Sequence, residues 1–336
     1  PPSRLDVYQG LSNEYAAIEQ PVWSSLTATY LMNRNYNVQI LDAEAENLTY
    51  DQTAEKILSI EPRLAIFMVY GQQPSASTQC MPGGKKTCDK LNNLSSNSIK
   101  TIVVGTHASA LPKKTLEEEP YDFVCQGEGP ITIVKLIEHI KNQKNKLEDI
   151  EGLWYWDKDK NVKSNKRAPM FENLDQNLPG QAWKLLDMSK YKAHNWHTFG
   201  KLESRNHYAS LQTSLGCPFK CTFCCINAPF ERNTIRFWSP KYIINQIKIL
   251  VEDYNIYNIK IPDEMFVLNP KQVMGICDEI INKGYGKKLN FWAYARIDTL
   301  EDNEMLKKML QSGFKWLGLG IESSSKHVRD GVVKGR

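Results

Sequence analysis

Through the first 142 residues, short apolar runs alternate with longer stretches whose apolar positions recur at helical spacing. Asn37–Leu41 (NVQIL), Leu64–Val69 (LAIFMV), Thr101–Val104 (TIVV) and Asp122–Cys125 (DFVC) read as strands. Helical patterns occupy the regions near Val22–Arg34, Thr53–Leu58, Cys88–Leu94 and Ile131–Asn142. Strands alternating with helices predict an α/β domain, a doubly wound parallel sheet of the flavodoxin or Rossmann kind. Each strand leads into a loop of small or polar residues, such as Gly105-Thr-His and Gln126-Gly-Glu-Gly. In an open α/β sheet, ligands bind at those carboxyl-end loops.

Residues 143–206 break the rhythm. Trp154, Trp156, Trp183 and Trp196 are scattered among Asp, Asn, Lys and Pro, which predicts a structured linker with a short hairpin around Trp154–Asn161. From 207 to 336 the βα pattern resumes. Strands are expected at Tyr208–Thr213, Tyr257–Ile261, Leu289–Tyr294 and Phe314–Ile321, and helices at Pro240–Tyr254, Lys271–Lys283 and Asn303–Ser312.

A chain of 336 residues with a net charge of +4 has no basic footprint for nucleic acid, since its 42 basic and 38 acidic residues are well mixed. No apolar run reaches membrane-span length, so no membrane partner is expected and the default compartment is cytoplasmic. Of the 8 cysteines, four fall within Cys217–Cys225, while Cys80, Cys88, Cys125 and Cys277 are dispersed, which is no disulfide framework. Cys225 reads as a packing residue.

Cys217, Cys221 and Cys224 stand in Ser-Leu-Gly-Cys-Pro-Phe-Lys-Cys-Thr-Phe-Cys-Cys, a C-x₃-C-x₂-C run straight after a strand. With 8 Cys in 336 residues, that spacing arises by chance in about one chain in two hundred. Three thiolates can hold three irons of a [4Fe–4S] cube and leave the fourth iron open, whereas an electron carrier closes all four corners. Structural zinc normally takes four ligands, and there is no second knuckle here.

The spacing, the aromatic Phe223 before the third cysteine and the preceding strand resemble the radical S-adenosylmethionine (SAM) enzymes. The resemblance implies a partial βα barrel, of which about four of six units are present, with SAM chelating the open iron. One electron then cleaves the sulfonium to methionine and a 5′-deoxyadenosyl radical. It implies further that Asp263 and Glu264 receive the SAM amino group, Arg296 its carboxylate, and Glu322 and Ser323 the ribose hydroxyls, with Phe223 against adenine. All stand at carboxyl ends of predicted strands, the face where barrel sites are built.

The first domain lacks the Gly-x-Gly-x-x-Gly run of a dinucleotide site. Its loops resemble those of cobalamin-binding domains that precede a radical SAM barrel. The implied cobalamin contacts are Gly71, Ser75, Ser77, Gly105, Thr106, His107, Gly127 and Gly129. The loop expected to carry a cobalt-ligating His reads Pro1-Pro-Ser-Arg-Leu-Asp-Val-Tyr-Gln-Gly and has none, which implies base-off, His-off cobalamin. Two ends are expected to lie outside the chain: the first strand of the first domain and the last barrel units.

The resemblance implies a cobalamin-dependent methyl transfer to an unactivated carbon of a small-molecule substrate, driven by a reductant such as flavodoxin or ferredoxin. Two alternatives stay open. One is cyclisation, oxidation or rearrangement without methyl transfer, as in an anaerobic porphyrin-ester cyclase branch. The other is a non-catalytic iron–sulfur or cobalamin sensor.

Overall fold

A computed structural model describes residues 16–70, 76–142, 144–194, 205, 207–321 and 323–331. The chain divides into two compact units. The first comprises Pro1–Asn13, Trp23–Phe171 and Cys225–Arg232, and the second Glu14–Val22, Glu172–Cys224 and Asn233–Arg336.

In the first unit, helices α1 (Val22–Met32) and α2 (Tyr50–Ile60) lead to strand β1 (Leu64–Met68). Then come α3 (Ser77–Ser95), β2 (Lys100–Val104), α4 (Thr106–Ala110), α5 (Pro112–Glu118), β3 (Phe123–Cys125) and α6 (Pro130–Asn142). The hairpin of β4 (Leu153–Trp156) and β5 (Val162–Ser164) completes a sheet of order β1-β2-β3-β4-β5. β1, β2 and β3 run parallel, while β4 and β5 add antiparallel. The expected hairpin therefore exists, but it extends the first sheet, because β4 pairs with β3 through Val124–Trp154.

Local chemistry accounts for the helix limits. α2 opens on a reciprocal capping box between Thr49 and Gln52 and closes on Glu61 in the left-handed conformation. The β2 strand is buried at Thr101, Ile102, Val103 and Val104, as a parallel strand covered on both faces must be. Asn37–Leu41 departs from expectation. It forms no strand in spite of its alternating pattern, because no neighbouring backbone pairs with it among the described residues.

The second unit carries a parallel sheet of order β11-β10-β9-β6, formed by β6 (Tyr208–Ser210), β9 (Asn258–Ile261), β10 (Asn290–Arg296) and β11 (Phe314–Gly320). A separate antiparallel pair, β7 (Ser214–Gly216) and β8 (Ile235–Phe237), flanks the cysteine loop. Sequence reasoning took the β7 residues as part of the loop. Helices α7 (Pro240–Tyr254), α8 (Pro270–Asn282) and α9 (Asn303–Ser312) cross over between the strands. α7 begins at a Ser239 cap with Pro240 in its first turn, and buries Ile243, Ile244, Ile247, Leu250 and Val251 on one stripe. Stacked rings of Phe266, Phe314 and Phe291, with centroids 4.9 and 4.6 Å apart, fill the space behind the sheet.

Two residues far away in sequence seal the free side of β6. The Gln20 carboxamide donates to the Tyr208 carbonyl at 2.6 Å and accepts from the Ser210 N–H at 2.8 Å. It thereby reproduces the pairing of a neighbouring strand and satisfies an otherwise bare edge. Beside it, Lys260 on β9 pairs with Glu19 at 2.8 Å, with side chains only 3% and 8% exposed. The Lys260 ammonium also lies 5.6 Å from the centroids of the Trp292 and Tyr294 rings.

A buried pair of this kind is most costly when half of it is lost. Lys260→Met should lower the unfolding free energy of the second unit by about 3–5 kcal/mol, and adding Glu19→Met should restore most of the loss. Urea unfolding read through hydrogen exchange of the β9 amides measures both.

Candidate active site

The cysteine loop begins where β7 ends. Gly216 holds φ +88°, a left-handed conformation open to glycine at little cost, and so turns the chain from the strand into Cys217. Cys217 is buried, Cys221 half-buried and Cys224 exposed. Burial pushes the Cys217 thiol up to about 11. The Phe219 backbone opposes this, while the charges of Cys224, Glu264 and Cys221 add to it. The Cys217 thiol thus feels the other two thiols and the Glu264 carboxyl. Cys225 is exposed, which corrects its reading as a packing residue.

Among the described residues, no three His, Cys, Asp or Glu side chains stand close enough to hold one metal ion. A mononuclear thiolate site needs sulfurs about 3.8 Å apart, given metal–sulfur bonds near 2.3 Å in a tetrahedron. A cube spreads three thiolates over three irons. The donor set at Cys217, Cys221 and Cys224 fits such a cluster in chemistry and number.

The adjacent acids Asp263 and Glu264, expected to act together, have different environments. Asp263 is buried and fully engaged. It accepts from the Thr213 N–H at 2.7 Å, the Thr213 hydroxyl at 2.5 Å and the Ser214 hydroxyl at 2.6 Å. Burial raises its carboxyl to about 6, against the pull of those hydrogen bonds. Asp263 thus fastens the end of β9 to the start of β7 and has no capacity left for a ligand. Glu264 accepts no hydrogen bond among the described residues, and desolvation, reinforced by Asp263 and opposed by Lys260, pushes it up to about 8.

Arg296 ends β10 as expected, yet its carboxylate-binding fork is already occupied. Nε and Nη2 donate to Asp298 at 2.9 and 2.7 Å, and the guanidinium carbon lies 4.0 Å over the Phe219 ring. The Asp298 hydrogen bond raises the Arg296 pKa, with Cys221 and Cys217 adding to it. The guanidinium therefore belongs to the cysteine-loop environment through its stacking face. Phe223 is exposed. The Ser323 hydroxyl accepts from the Ser325 N–H at 3.1 Å. Glu322 lies outside the described residues.

In the first unit the strand-end loops are laced together. The Ser77 hydroxyl donates to the Val69 carbonyl and accepts from the His107 N–H at 3.1 Å. This is a structural role for a residue expected to contact cofactor. Gly105 has a structural reason too, since a Cβ there would lie 2.3 Å from the Val69 carbonyl oxygen. His107 shares a hydrogen bond with the Thr78 hydroxyl through Nδ1 at 3.0 Å, and burial lowers its pKa. Gly127 and Gly129 both stand at positive φ, and the Gly127 N–H is held by the Ser109 hydroxyl at 3.2 Å. Sequence reasoning missed Ser109, which carries no motif of its own. Among the described residues the buried Thr106 hydroxyl has no hydrogen-bond partner, an orphaned polar group at a strand end that suits a polar ligand edge. Gly71 and Ser75 lie outside the described residues.

The B12 binding domain family matches residues 8–137, and the Radical SAM superfamily matches residues 211–335. An uncharacterized methyltransferase of Pyrococcus horikoshii is 29% identical over 306 residues, 91% of this chain and 61% of that protein. The anaerobic magnesium-protoporphyrin IX monomethyl ester cyclase of Rubrivivax gelatinosus is 25% identical over 334 residues, 97% of this chain and 56% of that protein. The chain thus spans little more than half of these relatives. Among solved structures, the radical S-adenosylmethionine methyltransferase TsrM of Kitasatospora setae superposes with a TM-score of 0.73 at 16% identity. That match covers 95% of this chain and 60% of TsrM, and shares the fold.

Removing the Asp263 carboxylate strands three donors next to the cysteine loop. Asp263→Ala should cost about 3 kcal/mol in stability. It should also lower the iron retained after anaerobic reconstitution, measured by iron analysis against thermal melting of the same sample. With residues 8–137 and 211–335 so matched, the chain carries a B12 binding domain followed by a domain of the Radical SAM superfamily.

Proposed function

We propose that the chain is the cofactor-binding part of a cobalamin-dependent radical SAM methyltransferase that transfers a methyl group to an unactivated carbon of a small molecule. The observation that carries the reading is the pairing of three cysteines on one loop with a neighbouring carboxyl, Glu264, that accepts no hydrogen bond among the described residues. When bound, the cluster supplies one electron, SAM the sulfonium, and cobalamin the methyl carrier. Cys217, Cys221 and Cys224 hold the cluster. Glu264 receives the SAM ammonium, while Arg296 closes over Phe219 at the loop and Phe223 offers a face to the adenine. In the first unit, Thr106, His107, Gly127 and Gly129 line the cobalamin edge. His107, the His on a candidate loop, already bonds the Thr78 hydroxyl, which supports the His-off form.

No helix among the described residues is long and apolar enough to cross a membrane, and we assign the enzyme to the cytoplasm with a flavodoxin or ferredoxin as reductant. A second reading has a specific ground in the cyclase resemblance: both cofactors, with oxidation or cyclisation in place of methyl transfer.

Anaerobic reconstitution, reduction with dithionite and addition of SAM should release 5′-deoxyadenosine, and Cys221→Ala should abolish it. If Cys221→Ala still cleaves SAM, the assignment fails. Methylated product for each deoxyadenosine formed favours methyl transfer, and unmethylated product the cyclase-like outcome.

The sign of the pH dependence follows from Glu264. Its carboxyl is protonated below about 8 and can attract an ammonium only when ionised. SAM affinity should therefore rise by up to about tenfold per pH unit between pH 6 and 8. Glu264→Gln should bind SAM weakly with a flat profile, as isothermal titration would record.

A further inference from the structure

We propose that Phe219 is the positioning residue of the cysteine loop, and that Arg296 acts on the cluster by clamping Phe219. This rests on the cluster assignment above and gives two residues that touch no iron a part in it.

Phe219 stands at the middle of the first arc of the loop, Cys217-Pro218-Phe219-Lys220-Cys221. Each part of the residue is tied in a different direction. Its N–H bonds the Cys217 sulfur. Pro218 has no N–H, so Phe219 supplies the first main-chain donor after that cysteine. The Phe219 carbonyl accepts from Asn233 Nδ2 at 3.1 Å. Asn233 lies two residues before β8, whose Ile235 pairs with Gly216 at the root of the loop. The Phe219 ring, finally, lies under the Arg296 guanidinium, whose carbon is 4.0 Å from the ring centroid. Ties to the N–H, the carbonyl and the ring fix both the place and the orientation of the residue.

The clamp is itself held. Nε and Nη2 of Arg296 donate to Asp298 at 2.9 and 2.7 Å, which locks the plane of the guanidinium. The Thr299 hydroxyl donates to the Arg296 carbonyl at 2.8 Å and closes the short turn Ile297–Thr299. The Arg296 side chain is 14% exposed against 44% for Asp298, so the arginine is the inner member of the pair. A guanidinium can give its edge to a carboxylate and its face to a ring at once; a lysine ammonium has no such plane. With the edge committed to Asp298, the face is what Arg296 offers to the loop.

The consequence falls on the first two cysteines. The guanidinium charge is felt at Cys221 and at Cys217, the two ends of the arc. The ties on Phe219 join protein groups to one another, so the span from Cys217 to Cys221 is set without iron. Residues that orient metal ligands without touching the metal commonly carry about 10–100-fold of the affinity.

The test is the rate at which the reconstituted 336-residue chain loses iron to a chelator in the absence of SAM. Phe219→Leu removes the ring and keeps the main-chain ties. Arg296→Met removes the clamp, and Arg296→Lys keeps the charge without the plane. Each should lose iron about tenfold faster than the wild-type chain. Phe219→Leu combined with Arg296→Met should lose it no faster than either alone, because both cut the same contact. Phe314→Leu, among the stacked rings behind the sheet, should lower the melting temperature and leave iron loss unchanged. If Phe219→Leu does not fold, Arg296→Lys decides. Wild-type iron loss in Phe219→Leu or in Arg296→Lys would overturn the proposal, as would additive effects in the double variant. Weaker SAM binding as the sole defect of the arginine variants would return Arg296 to the SAM carboxylate. A wild-type chain that takes up no iron would overturn the cluster assignment itself, and this proposal with it.

Discussion

The Asp263 carboxylate joins the framework of the second unit to its chemistry. Three short hydrogen bonds tie the end of β9 to Thr213 and Ser214, the residues that lead through β7 and Gly216 into Cys217. The root of the cysteine loop is a buried carboxyl satisfied by one backbone and two hydroxyl donors. The next residue, Glu264, issues from the same strand end and accepts no hydrogen bond among the described residues. In the proposed function, anchor and ligand group are consecutive in sequence and opposite in role.

The same division of labour recurs in the first unit. Ser77 and Ser109 lash the strand-end loops to one another, and Gly105 permits the close approach of the Val69 carbonyl. What remains uncommitted among the described residues, the Thr106 hydroxyl, is what a polar ligand edge can use. Rigid supports next to unsatisfied groups are the mark of a preorganised site.

Much of this was legible in the sequence for physical reasons. Strands such as Lys100–Val104 and helices such as Pro240–Tyr254 announce themselves through burial period and caps, and the cysteine spacing has few other uses. The division between Asp263 and Glu264 was not legible, because neighbouring carboxylates look alike until their donors are located 50 residues away. Nor were Gln20 and Glu19, whose partners lie 188 and 241 residues along the chain. Arg296 was placed correctly at a strand end, but Asp298 two residues on competes for its fork. Asn37–Leu41 has a strand's pattern without a strand's bonds, since pattern is a property of the segment and pairing requires a neighbour.

The central claim is a four-iron cube with one corner left to a ligand. Mössbauer spectroscopy of ⁵⁷Fe-reconstituted protein, with and without SAM, tests it most directly. One iron in four should change its isomer shift when SAM is added while the other three stay as they were. Four equivalent irons indifferent to SAM, or a single mononuclear site, would contradict the account.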